Sequence, residues 1–450
     1  MIFQSAIYFP RPSKTGVALR CGVKTVLILA FVSLQISLPL SGEPILPEDA
    51  KKHAGEVMEV RGEVKGFTTG GGTTYINLGD AYPRQSFTIA LDEKNIFDRK
   101  QLGSCFGREI VVKGQIENYK NRPRIVLENI RDIRYLPVDE KSAIEGQIDG
   151  AAARGRYAAA WHQILMRNEF EKIEKQAAAF EKKEEISLEG MWLSLRFFAA
   201  LETPDEASEG GWQAAFQRVE RWQKAFPNSS TALHAKAGLL VKYAWAARGS
   251  GYAGKVTEEG WEKFRERIRA ASVVLESIPE GARRPFFYDT RQTVAMAQGW
   301  SKERVLTNLR ASLDHFPGCF EIYFAVCIHL LPRWHGEDQE WQKFIEEQTK
   351  EETPFQNELY ARACWAMTDY YPNAWNETGI LWPRFKAGFE EMERRYPASM
   401  WNLNHFARFA KMNDDKETCA RLLKKTEGRE DMQVWLRWNH LEDAKRWVME

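Results

Sequence analysis

Between residues 55 and 136, apolar and polar positions alternate with period two. The runs 56–60, 74–78 and 86–91 predict three strands; Tyr75, Ile76 and Leu78 show the pattern in the second. A helix-prone stretch, 95–102, separates these from two further predicted strands at 109–116 and 124–127. Beyond Asp139 the apolar spacing becomes helical. Phe170, Ile173, Ala177 and Phe180 form one stripe, and Trp212, Phe216, Val219, Trp222 and Phe226 form another. The Gly- and Ala-rich segment 143–157 reads as part of a linker, so the chain divides into a β-rich module at 51–137, a linker at 138–155 and a helical domain at 156–450.

The first residues follow a different rule. Arg11, Lys14, Arg20 and Lys24 precede an apolar run at 26–40, which leads to Ser41 and Gly42 with no acidic residue on the way. This order predicts a secretory signal over 1–42. A run of about 15 residues is short for a bilayer crossing. The expectation is an exported protein, periplasmic or extracellular, with no stable membrane span once the signal is cleaved.

Five strands with one helix between the third and fourth is the order of an oligonucleotide/oligosaccharide-binding (OB) barrel. Gly62 and Gly114 fall inside long strands, where sharp coiling favours a residue without Cβ. The module resembles small bacterial OB-fold modules through Leu78, Gly79, Tyr82, Pro83 and Phe87, and through Val112, Gly114 and Ile116. That resemblance implies a binding face of Tyr75, Tyr82, Phe87, Tyr119, Lys120, Arg122 and Arg124, suited to nucleic acid or glycan. An exported barrel can equally contact protein or its own helical neighbour.

In the helical domain, Phe226-Pro227, Phe316-Pro317, Tyr371-Pro372 and Tyr396-Pro397 each pair an aromatic with the proline that stops a helix. This punctuation predicts stacked helix pairs, and the stretch 354–450 resembles tetratricopeptide-type units, giving an all-α tetratricopeptide-like array. Trp222, Phe226, Pro227 and Ser229, then Ala247, Arg248, Gly249 and Gly251, then Leu330, Pro332, Arg333, Trp334 and Gly336 carry a further likeness. Through them residues 161–350 resemble the bacterial domain-of-unknown-function family numbered 4034, which implies helices of this kind and no assigned activity.

Composition narrows the function. With 63 Lys and Arg against 62 Asp and Glu, the net charge of +1 gives no global attraction for polyanions. Of six cysteines, Cys21 lies in the signal, and the remaining five read as buried small hydrophobes. Gly249, Gly251 and Gly254 spell Gly-x-Gly-x-x-Gly, but after a helix rather than a strand, so a wide turn with Thr257 capping the next helix is expected and no cofactor. The histidines show no zinc spacing, and no nucleophile elbow or phosphate loop is present. The loop 333–338 gathers Arg333, Trp334, His335 and Asp338, and with Arg248 and Tyr252 across the helices it would form a ligand pocket. The sequence therefore points to a non-enzymatic binding or scaffold protein whose helical surface takes a protein or peptide. OB-mediated binding of nucleic acid or glycan is the alternative, and a hydrolase built on the 333–338 loop a third reading.

Overall fold

The computed structural model describes residues 43–92, 105–204, 206, 208–249, 253–350, 355–371 and 373–450. The expected signal at 1–42, the helix at 95–102, and Tyr252 lie outside the described residues. Among the described residues the β-rich half has seven strands where five were expected: β1 (Val57–Gly70), β2 (Thr73–Leu78), β3 (Phe87–Asp92), β4 (Glu109–Gln115), β5 (Glu117–Tyr119), β6 (Arg122–Leu127) and β7 (Arg134–Tyr135). Among the described residues their hydrogen-bonded order is β5-β6-β3-β2-β1-β4-β7, which does not show closure into a barrel. The two extra strands have local causes. Lys120 and Asn121 both take positive φ, 50° and 66°, so the expected loop becomes a tight hairpin pairing β5 with β6, and Arg134 and Tyr135 ladder onto β4. Period two is obeyed within β1, where Val60 and Val64 point inward with Ile76, Phe87, Ile89, Ile110 and Ile125. Gly114 is required by close approach, because a Cβ there would sit 2.6 Å from the Ile125 side chain.

The helical half begins within the expected linker, with α1 (Glu140–Glu145) and α2 (Gly150–Met166). There follow α3 (Phe170–Lys182), α4 (Leu193–Leu201), α5 (Glu209–Ala225), α6 (Ser230–Arg248), α7 (Glu258–Glu276), α8 (Pro285–Gln298) and α9 (Lys302–Leu313). The array continues through α10 (Phe320–His329), α11 (Glu340–Gln348), α12 (Gln356–Met367), α13 (Ala374–Thr378), α14 (Trp382–Arg395), α15 (Met400–Met412), α16 (Lys416–Lys425), α17 (Met432–Trp435) and α18 (Trp438–Met449). Aromatic-proline pairs end α5, α9 and α14, and Ser229 and Ser399 then cap the following helices through the N–H of Ala232 and Asn402. Thr257 caps α7 through Gly260 N–H as expected. Helices α2, α4, α8, α10 and α12 pack side by side as an inner layer, and α3, α9 and α11 pack against members of it.

The start of the array meets its later part. Asp149 accepts from the Ser399 hydroxyl at 2.7 Å and from the N–H of Met400 and Trp401, so it caps α15 from 250 positions away. Ala152 N–H donates to Gln433, and Arg154 lies over Trp401. The sheet module is clasped to the same end. Trp438 of α18 donates its backbone N–H to Tyr82 O and its indole N–H to Asp80, while Arg84 stacks on its ring at 3.9 Å.

Candidate functional site

The pocket expected from Arg248, Tyr252, Arg333, Trp334, His335 and Asp338 is assembled only in part. Arg248 is buried at the end of α6, its guanidinium over Trp245 and Trp261, and burial lowers its pKa. Trp334 packs edge-on against Trp245 at 5.8 Å, so Arg248 and Trp334 share one indole. Arg333 turns elsewhere and donates to Tyr370 O at 2.6 Å. His335 donates through Nε2 to Met296 O at 2.6 Å, and Asp338 is exposed. The turn that holds them needs its glycine, because a Cβ at Gly336 would lie 2.0 Å from Leu330 O. Arg333 thus satisfies a helix-end carbonyl and Trp334 staples the turn into the aromatic core.

The face expected on the sheet module is also divided. Phe87 has no exposed surface and belongs to the core, so it cannot stack on a ligand. Tyr75 is half-buried on β2. Tyr82 sits between Arg122 at 5.9 Å and Arg437 of the helical half at 5.6 Å, within the contact that holds the two halves together. On the β5–β6 hairpin, Tyr119 remains exposed with Arg124 over its ring at 4.0 Å and Lys120 at 5.3 Å. Arg124 is paired with Glu117.

Two groupings were not read from the sequence. The first is a set of charges on the inner layer: Arg154 on α2, Arg196 on α4, Asp289 on α8, Glu321 on α10 and Arg362 on α12. Arg154 binds the buried Glu189 carboxylate, and Arg362 Nη2 donates to the Glu189 carbonyl at 2.5 Å while its Nε donates to the buried Glu358. Burial pushes the Asp289 carboxyl up to about 7, with Glu202 and Glu321 repelling its charge and Arg196 opposing them.

The second is a cleft of about 170 Å³ where the first turns of α4, α6 and α8 converge beside the end of α3. Phe180, Trp192, Phe198, Phe286 and Phe316 wall it, and Lys182, Lys183 and Arg284 stand at its edge. His234 lines it, is 1% exposed, and makes no hydrogen bond through Nε2 among the described residues. Burial holds this imidazole neutral, with its pKa pushed down to about 3. Glu184 accepts from Ser194 N–H in the first turn of α4 at 3.1 Å, and burial raises its carboxyl to about 7. The available signal was His234 itself, one imidazole among Ala232, Ala235 and Ala237 just after Phe226-Pro227-x-Ser229. Searching the histidines for zinc spacing passes over it.

Sheet module and clasped helical array define a two-part chain with its candidate sites on helix edges. Residues 294–366, from the second half of α8 through most of α12, match the family described as "Domain of unknown function (DUF4034)". The Leu330 to Gly336 turn lies inside that match, whereas the Trp222 to Ser229 and Ala247 to Gly251 motifs lie outside it. No curated protein and no solved structure matches the chain.

Proposed function

We propose that this is an exported, non-enzymatic binding or scaffold protein of the bacterial envelope or exterior, whose tetratricopeptide-like array takes a protein or peptide partner. The observation that carries the reading is the aromatic-walled cleft at the convergence of α4, α6 and α8, with the unpartnered His234 inside it. Three helices meeting at their first turns set positive dipole ends beside apolar walls. The OB-type module, with its Tyr82 loop held by Trp438, serves in this reading to fix the end of the array.

A second reading keeps nucleic acid or glycan binding on the OB-type module. What favours it is the exposed Tyr119, flanked by Lys120 and Arg124 on the hairpin. The two readings separate in one experiment. A photo-crosslinking residue is placed at Lys183 or at Lys120 of the full chain, and adducts formed in the native envelope fraction are identified by mass spectrometry. Defined protein adducts from Lys183 with none from Lys120 are expected. Adducts from Lys120 alone would overturn the primary reading.

A further inference from the structure

We propose that the cleft between α3, α4, α6 and α8 binds a carboxylate joined to an aromatic or branched apolar group, whether a free monocarboxylate or the last residue of a peptide. The inference rests on the helical array being the binding half and names the chemistry its cleft selects.

Size comes first. About 170 Å³ holds one ring-sized group, and the walls that would receive it, Phe180, Phe198, Phe286 and Phe316, are aromatic. Charge is the second constraint. Helix N-termini favour anions because their first N–H groups lack intrahelical partners and the dipole ends positive. The cleft already shows how a carboxylate sits there: Glu184 reaches the first turn of α4, which has no side-chain cap of its own, and accepts from Ser194 N–H. The 14-residue α8 also lacks a side-chain cap, and its N-cap residue is Arg284. Among the described residues no carboxylate is seen to accept from the first N–H groups of α8 as Glu184 does at the end of α4. Arg284 contacts Glu181 at 3.2 Å through Nη2, while its Nε makes no hydrogen bond.

His234 is the third and independent element. A buried polar nitrogen without a partner is costly, and native proteins seldom keep one without a use. Its ring packs against Phe198, Phe286 and Phe287, so the imidazole is fixed at the apolar wall. A ligand seated with its ring against Phe198 and Phe286 and its carboxylate toward α8, Arg284 and the Nε2 of His234 would use all three features together.

The test is calorimetric titration of the full chain with 3-phenylpropionate, with its primary amide, and with a short peptide ending in Phe as free acid or as amide. Each acid is expected to bind about tenfold or more tightly than its amide, the value of one charge-assisted contact. Arg284→Met should remove the preference for acid over amide. Ser230→Trp, which fills the cleft from the first turn of α6, should abolish both, with thermal midpoints confirming that both variants fold. Tighter binding of the peptide acid than of phenylpropionate supports a chain terminus as the natural ligand, and equal binding supports a small monocarboxylate. Equal affinity for acid and amide, unchanged binding in the Ser230→Trp variant, or no saturable binding at millimolar ligand would overturn the proposal. Peptide binding that survives Ser230→Trp while hydrogen exchange protects other helices overturns the cleft and leaves the broader reading standing. Absence of peptide binding anywhere on the helices overturns both.

Discussion

At the scale of single residues, the inner layer is held by charges whose partners lie far away in sequence. Glu358 is fully buried and accepts from Arg362 and from Arg395, which reaches in from α14. Removing one member of such a set strands the others in a poor dielectric. Glu358→Gln should cost about 3–5 kcal/mol in urea unfolding, as buried ion pairs do when one partner is lost; a loss within experimental error would show that the pair is dispensable. Asp289 makes a pH-dependent prediction. Its folded pKa of about 7 is raised above the ordinary carboxyl value of 3.8, so between these two values the folded state keeps a proton that the unfolded state has lost, and stability falls as pH rises towards 7 and levels off beyond it. Relative to the wild type, Asp289→Asn should therefore gain thermal stability from about pH 4 to pH 7 and hold the gain above it, and a difference independent of pH would contradict the cause assigned here. Little of this was legible in the sequence. Acidic and basic residues at helical spacing read as solvated faces, and only the side-by-side packing of α2, α4, α8, α10 and α12 turns some of them inward.

At the scale of elements, legibility was much higher. Period two located β1 to β4 and β6, and helical stripes located α3 and α5, because burial on one face is written directly into the order of apolar residues. The misses have identifiable causes. β5 and β7 are only three and two residues long, too short to show a period, and both owe their pairing to neighbours. The Gly- and Ala-rich segment taken for a linker is largely α2, where small residues let the helix pack closely. Gly150 there meets Trp401, whose ring a Cβ would approach to 3.0 Å. The same logic applies between α12 and α14, where a Cβ on Gly388 would fall 2.2 Å from Asn357 O and 2.4 Å from the Ala361 side chain. Gly388→Ala is expected to force these helices apart at a cost of about 1–3 kcal/mol, the range for overpacking. An unchanged denaturation midpoint would mean that the crossing can relax freely.

At the scale of the whole molecule, the division into a sheet module and a helical array was readable, and the way the two close on each other was not. No periodicity announces that Trp438 will dock on Asp80 and Tyr82, or that Asp149 will cap α15. These contacts tie the sheet module and the start of the array to its far end, and the candidate binding surface is the cleft at the first turns of α4, α6 and α8. Trp438→Ala removes the indole contacts to Asp80 and Arg84, and native-state hydrogen exchange should quicken in the 80–87 loop and in α18 while α8 to α12 keep their protection. Equal quickening throughout would indicate one indivisible folding unit instead of a clasp.

Partners that engage the helical half must leave their mark on its helices. The most direct measurement is hydrogen exchange on the full chain with and without a peptide selected from a library against it. New protection is expected at the end of α3, the first turns of α4 and α6, and the start of α8. Protection confined to the β5–β6 hairpin and the Tyr82 loop, with the helices unchanged, would contradict it.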